Sequence, residues 1–272
     1  MAGYVQLNED RKGVLVDLTK CIGCRSCQVA CKNWHRLPAE KTNFTNDWTT
    51  PPKITATTWT RVSFNLIEEQ IIEEQNGVIK WRFVKNQCFH CEEPACESAC
   101  FVRAFTKLAD GPVVYNPKKC VGCRYCMLAC PFGIPAYEWD KVFPKVQKCV
   151  FCNDRLAQGL GPACASACPT GALKFGIRKE LLEEAKQRIA DSPGKYQPTV
   201  YGEKEYAGTS WLYISDVPFE QMGFKTNVSK RSIPSYTWSV LKWTPYITVG
   251  WTAVLAALYL YTKPRGEVED DH

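Results

Sequence analysis

Histidine is scarce in this chain of 272 residues: only His35, His90 and His272 occur. None lies in the one long uncharged stretch, residues 243–262, so this chain cannot supply paired histidines to a haem there, and any haem belongs to another chain. No Ser-His-Asp pattern, phosphate loop or G-x-G-x-x-G accompanies them, which removes the usual sequence signs of substrate chemistry. Charge of one sign is not gathered in a block either. The 34 Lys and Arg are scattered among 28 Asp and Glu, for a formal net charge of +6, which points away from a nucleic-acid partner. The opening MAGYVQLNEDRKG has no apolar core and no small-residue cleavage site, so no export signal of its own is expected.

What the chain has in abundance is cysteine. Its 16 Cys are too dense for ordinary core positions, and 45% hydrophobic content implies a folded chain rather than disorder. They divide into four complete quartets: Cys21, Cys24, Cys27, Cys31; Cys88, Cys91, Cys96, Cys100; Cys120, Cys123, Cys126, Cys130; and Cys149, Cys152, Cys164, Cys168. Disulfides between such close neighbours would close tiny loops that hardly constrain the unfolded chain. Zinc needs only two C-x2-C pairs, whereas the first and third quartets carry a third Cys at the same tight spacing. Taken alone, the fourth quartet, C-x2-C-x11-C-x3-C, has the form of a zinc ribbon, but its company argues against that.

C-x2-C-x2-C lets one tight loop wrap three corners of a 4Fe-4S cubane, and in two-cluster ferredoxins the fourth Cys of each run ligates the other cluster. Quartets therefore work in pairs. Cys130-Pro131 and Cys168-Pro169 keep the proline that follows the fourth Cys, while Cys31 precedes Lys32 and Cys100 precedes Phe101. Small residues beside the ligands, Gly23, Gly122, Ala30, Ala99, Ala129 and Ala167, suit the close approach of backbone amides to sulfide. Spacing does not choose the partners: 19 residues separate Cys100 from Cys120 and 18 separate Cys130 from Cys149, which fits either scheme. A nested scheme, first quartet with fourth and second with third, makes the middle module an insertion inside the outer one.

Between the first two quartets, TATTWTRVSFNLIEEQ and, after an Asn76-Gly77 turn, NGVIKWRFV predict a β-hairpin. RKELLEEAKQRIA, residues 178–190, sets Leu181, Leu182, Ala185 and Ile189 at helical spacing before DSPG, predicting an amphipathic packing helix. Residues 191–242 show little periodicity and are expected to be an extended connection. WTPYITVGWTAVLAALYLYT, residues 243–262, is long enough at about 1.5 Å per residue to span a hydrocarbon core of about 30 Å. Lys242 and Lys263 bound it, and Trp243, Tyr246, Trp251, Tyr259 and Tyr261 supply interfacial aromatics.

VDLTKCIGCRSCQVACKNW, QCFHCEEPAC, CVGCRYCMLACPFGIP and KCVFCNDRLAQGLGPACASACPTGALKFGIRKEL, together with the C-terminal apolar segment, resemble the iron-sulfur beta subunit of membrane-bound respiratory formate dehydrogenases. The resemblance covers roughly residues 14–265. It implies an α+β fold of two ferredoxin-like modules: an outer one over 1–87 and 131–190 with the hairpin insertion, an inner one over 88–130, then the connection, a single transmembrane helix and an acidic tail over 263–272. It also implies four 4Fe-4S clusters in nested pairing. The sets are Cys21, Cys24, Cys27 with Cys168; Cys149, Cys152, Cys164 with Cys31; Cys88, Cys91, Cys96 with Cys130; and Cys120, Cys123, Cys126 with Cys100. The partners implied are a molybdenum or tungsten bis-pterin catalytic subunit and an integral-membrane cytochrome b that reduces quinone, with no haem or molybdopterin on this chain. The corresponding subunit of membrane-bound nickel-iron hydrogenases has a similar layout, and a membrane-tethered polyferredoxin serving soluble partners is a third reading. The eleven-residue gap between Cys152 and Cys164 resembles the formate dehydrogenase form.

His90, inside the second quartet, is expected to tune or shield a cluster by hydrogen bonding rather than ligate it, and His35 is expected at the surface. Arg25 and Arg124 each have two readings, raising the potential of a nearby cluster or standing as a solvated side chain. Membrane side is contested within the sequence. Lys225, Lys230, Arg231 and Lys242 before the apolar segment outnumber Lys263 and Arg265 after it, which would keep the clusters cytoplasmic. The resemblance implies the opposite: a single-pass protein of a bacterial or archaeal cytoplasmic membrane, exported folded on a partner's twin-arginine signal, its cluster body on the outer face and the tail EVEDDH inside.

Overall fold

The computed structural model describes residues 6–42, 48–67 and 80–263. The chain forms two compact units, Met1–Ser232 and Ile233–His272. The first contains β1 (Lys12–Asp17), α1 (Ser26–Trp34), β2 (Arg61–Ile67), β3 (Lys80–Asn86), α2 (Ala95–Ser98), β4 (Phe105–Lys107), β5 (Val113–Tyr115) and α3 (Tyr125–Ala129). It continues with β6 (Ala136–Tyr137), β7 (Val146–Gln147), α4 (Asn153–Leu156), α5 (Ala163–Ser166), β8 (Leu173–Ile177), α6 (Arg178–Asp191) and β9 (Trp211–Ile214). The second contains α7 (Ile233–Leu241) and α8 (Thr244–Thr262).

A three-stranded sheet in the order β8-β1-β9 anchors the first unit, with β1 antiparallel to β8 and parallel to β9. Side chains alternate across a strand, and here both faces are buried. Val14 and Val16 join Trp211, Tyr213, Phe89 and Phe151 on one side, while Leu15 joins Leu212, Ile214, Leu181 and Ala185 on the other. Leu181 and Ala185, one helical turn apart on α6, close the second face, so the helix expected over 178–190 forms and packs as its spacing dictates.

The extended connection expected over 191–242 is not what forms. Residues 191–232 belong to the first unit: Trp211–Ile214 is wholly buried as β9, and Val200, Tyr201, Val217, Phe219 and Met222 enter the core. A short strand buried on both faces reads as a continuous apolar run with no alternation, which is why periodicity did not reveal it.

β2 and β3 pair antiparallel with Phe64 opposite Phe83, as the hairpin prediction requires; its Asn76-Gly77 turn lies outside the described residues. In the second unit, the stretch expected to cross a bilayer forms the 19-residue α8. Among the described residues, however, no helix is long and apolar enough to cross a membrane. Pro245, the four threonines and the Tyr and Trp side chains dilute its aliphatic content, and Thr248 and Thr252 donate their hydroxyls to the carbonyls of Thr244 and Thr248.

Candidate functional site

Strand pairing explains how cysteines remote in sequence meet. β1 leads into Cys21 and β8 follows Cys168, and the register Val16 opposite Leu173 brings both to one end of the sheet. β4 follows Cys100 and β5 leads into Cys120, with Phe105 opposite Tyr115. β6 follows Cys130 and β7 leads into Cys149, with Ala136 opposite Gln147.

The resulting neighbourhoods form a series. Cys21, Cys24, Cys27 and Cys168 line one cavity together with Lys85. Cys152 faces Cys164 and Cys31, and Cys149 faces Cys31 and Cys152. Cys91 and Cys96 face Cys88 and Cys130, while Cys126 faces Cys100, Cys120 and Cys123. Adjacent groups share core clusters: Cys27 with Cys164, Cys149 with Cys88 and Cys31, and Cys96 with Cys100 and Cys126 around Phe105 and Val146. All sixteen thiols are free. Because Cys168 shares its cavity with the first quartet, the fourth quartet does not assemble as the zinc ribbon that its spacing alone permits.

The loops repeat one backbone device. The residue before the second Cys of each quartet is left-handed: Gly23 (φ +69°), His90 (φ +50°), Gly122 (φ +72°) and Phe151 (φ +61°). At Gly23 an added Cβ would meet the Phe83 ring at 2.8 Å, so glycine is required twice over, by conformation and by space. His90 and Phe151 accept strain of about 1–2 kcal/mol each for an L-residue at that conformation. Their rings meet edge to face, 4.9 Å between centroids at 68°, and fill the core between the second and fourth quartets. Arg25 and Arg124, one residue beyond the second Cys, are also left-handed. Neither is simply solvated: Arg25 lies 4.6 Å over the Phe64 ring, and Arg124 lies 5.5 and 5.2 Å from the rings of Tyr137 and Trp139. The hairpin β2-β3 thus backs the first loop as β6-β7 backs the third.

The donor set fits an iron-sulfide group. Amides point at ligand sulfurs, Gly122 N–H at Cys120 Sγ (3.4 Å), Phe151 N–H at Cys149 Sγ (3.4 Å) and Ala104 N–H at Cys100 Sγ (3.2 Å). His90 is fully buried; its Nδ1 accepts from Val113 N–H, which leaves the proton on Nε2, and that atom has no protein partner. An orphaned buried N–H is costly unless something accepts it, and sulfide or thiolate would. Burial, and then the ammoniums of Lys148, Lys107 and Lys85, hold the imidazole neutral. Among the described residues no three His, Cys, Asp or Glu side chains close on a single metal ion.

Burial sets the thiol chemistry. It pushes Cys31 up to about 11 and Cys27, Cys126 and Cys152 up to about 12, so cluster insertion must displace protons from them. Cys120 differs: burial pushes it up too, but the Tyr115 hydroxyl and the amides of Gly122 and Val146 bring it below its ordinary value. His35, expected at the surface, is half-buried against Trp59 with Nε2 3.4 Å from Cys152 Sγ. Residues that spacing could not reveal complete the surroundings. Thr60 hydrogen-bonds the Cys31 thiol. Lys85, Lys107 and Lys148 are buried ammoniums bonded to neutral oxygens, namely Gln87 Oε1, the carbonyls of His90 and Gly111, and those of Val113 and Cys149. Burial lowers the basicity of Lys85, yet the negative charge of the Cys164, Cys27, Cys149 and Cys31 thiolates outweighs it and raises its pKa.

Fold and site together define a ferredoxin-like protein that carries electrons through four 4Fe-4S clusters. Models of the 4Fe-4S dicluster domain match residues 20–104 and 79–178. The chain is 44% identical over 265 residues to a protein of Nitratidesulfovibrio vulgaris, covering 96% of this chain and 69% of that one. It is 36% identical over 266 residues to the nitrate-inducible formate dehydrogenase iron-sulfur subunit of Escherichia coli K12, covering 94% of this chain and 87% of the relative. It is also 36% identical over 242 residues to the hydrogenase-2 operon protein HybA of Escherichia coli O157:H7, covering 77% and 71%. The chain belongs to the family of formate dehydrogenase iron-sulfur subunits.

Proposed function

We propose that this chain relays electrons from a molybdenum or tungsten bis-pterin subunit that oxidises formate to a membrane cytochrome b subunit that reduces quinone. The observation that carries the reading is the unbroken series of thiol groups, each sharing a core cluster with the next, within a chain of this family. The clusters, when bound, supply one-electron redox centres that exchange electrons without moving atoms. The chain's residues fix the spacing, exclude water and orient amide dipoles toward sulfur.

We assign the ligand sets as Cys21, Cys24, Cys27, Cys168; Cys31, Cys149, Cys152, Cys164; Cys88, Cys91, Cys96, Cys130; and Cys100, Cys120, Cys123, Cys126. The shared cavity of the first set and the mutual neighbours within the others support the assignment. In this reading the outer module comprises 1–87 and 131–190 and the inner one 88–130, with Cys100, which lacks a following proline, the least regular ligand.

The second unit is read as the membrane attachment, supported by an uncharged helix with Ile247, Val249, Leu255, Leu258 and Leu260 all exposed. In this reading it crosses beside an integral-membrane subunit, with the cluster body on the outer face of the cytoplasmic membrane and the acidic tail inside. A role in a nickel-iron hydrogenase is the second reading, favoured by the likeness to HybA. Purification in mild detergent with identification of co-purifying subunits and metal analysis separates the two. Molybdenum or tungsten beside iron supports the formate dehydrogenase reading, nickel the hydrogenase one, and a four-cluster chain that purifies alone sinks both.

A further inference from the structure

Lys85 lies on β3 at the junction of the first two ligand sets, with its side chain 2% exposed. Its ammonium sits 4.2 Å over the Trp211 ring and donates to Gln87 Oε1 (2.9 Å) and Thr60 Oγ1 (3.5 Å). Gln87 Nε2 in turn donates to Tyr213 Oη (2.6 Å), and the Tyr213 hydroxyl donates to the Lys85 carbonyl (3.0 Å), which fixes the group in place. Among the described residues no carboxylate comes within ion-pair distance of it. A buried charge without a counter-charge is costly even after relaxation, so the position calls for negative charge close by, which no carboxylate provides.

Two neighbours indicate where that anion is. Lys85 lines the cavity bordered by Cys21, Cys24, Cys27 and Cys168. Thr60, whose Oγ1 accepts the ammonium's hydrogen bond, also hydrogen-bonds the thiol of Cys31 on the other side. We propose that Lys85 is a positioning residue for electron transfer, its ammonium serving as the fixed counter-charge shared by the clusters of the Cys21 and Cys31 ligand sets. An electron that leaves one of these clusters arrives on the other, so one is oxidised as its neighbour is reduced, and no bond or proton changes place. With the clusters bound, each arriving electron would add one negative charge beside the ammonium, which favours reduction of both centres. The role rests on the ligand sets assigned above.

The test is a potentiometric titration, followed by electron paramagnetic resonance, of the full chain purified with its accompanying subunits, wild type against Lys85→Met. Methionine keeps length and apolar bulk and removes the charge together with its hydrogen bonds to Gln87 and Thr60. Two of the four midpoint potentials fall, each by at least a tenfold change in the reduction equilibrium, about 59 mV for a one-electron couple. The other two stay, and iron content is unchanged. Four unshifted potentials, or one equal shift in all four, overturn the role. Should Lys85→Met lose iron, Gln87→Glu answers the same charge while keeping the lysine. It lowers the same two potentials if the proposal holds, and unmoved potentials there overturn it. Lys174→Met, an exposed lysine paired with Glu184, is the control and moves none. If two potentials move but belong to clusters other than those disturbed by Cys168→Ser and Cys31→Ser, the ligand assignment fails while the electrostatic role stands. If those variants disturb the assigned clusters and Lys85→Met moves nothing, the role fails alone.

Discussion

At the scale of single residues, the cysteines and their surroundings were legible to different degrees. The sixteen ligands announce themselves because a cubane needs thiolates at short fixed spacings, and spacing is a property of sequence. Their partners, Thr60, Tyr115, His35 and the three buried lysines, carry no such signal, because what places them is strand pairing across tens of residues. Two substitutions probe this level. Cys168→Ser should disturb the cluster held by Cys21, Cys24 and Cys27, since Cys168 shares their cavity, and iron analysis with electron paramagnetic resonance reads it. Damage to the cluster held by Cys120 instead would reject nesting. Gly23→Ala asks about conformation: with φ at +69° and Phe83 2.8 Å from the added methyl, we expect a loss of about 1–2 kcal/mol from the left-handed backbone, increased by the displaced ring. Thermal unfolding of the cluster-loaded protein measures it, and an unchanged midpoint would show that the loop can adopt another path.

At the scale of elements, the hairpin β2-β3 was readable from its β-branched and aromatic residues flanking Asn76-Gly77, and helix α6 from the 3.6-residue spacing of the face it buries. β9 was not, for the opposite reason: all four of its residues are buried. The miniature hairpin β6-β7 was also unreadable, since two residues a side carry no period. What holds it is Glu138, largely buried, which accepts from Lys141 Nζ (2.7 Å), Lys145 N–H (3.1 Å) and Gln147 Nε2 (3.2 Å). Burial alone would raise this carboxyl, but those hydrogen bonds outweigh it and hold its pKa below the ordinary value. A depressed carboxyl stabilises the fold fully above its unfolded pKa of about 4.3 and loses that contribution as pH falls through the lower folded value. Glu138→Gln should therefore loosen the hairpin at neutral pH, by about 0.5–1.5 kcal/mol per weakened hydrogen bond. Amide-exchange rates of Trp139 and Lys145, as the ratio of variant to wild type, should exceed one at pH 7 and fall toward one on acidification. A ratio independent of pH would mean that the carboxylate charge is not what closes the turn.

At the scale of the whole molecule, the question is how much of the chain the clusters need. Among the described residues, every strand, every cysteine and every large core side chain, from Val14 to Met222, lies in the first unit, while the second holds α7 and α8. The wire is thus complete before Ile233. We expect a chain ending at Ser232 to hold about sixteen iron, four in each of four clusters, just as the full chain does. A value near eight, or stoichiometric zinc, would break the four-cluster account in either chain. Expressed without partner subunits, the full chain should sediment with membranes and the shortened one should stay in the supernatant, because only the second unit presents an uncharged apolar helix to a bilayer. The Tyr, Trp and Thr content that keeps α8 short of a spanning helix makes this a real choice. Such side chains are accommodated where a neighbouring helix or the interface meets them, and attachment by α8 alone should then be weak and salt-independent. If both chains partition equally, the second unit is a packing element for another subunit and the cluster body reaches the membrane through its partners instead.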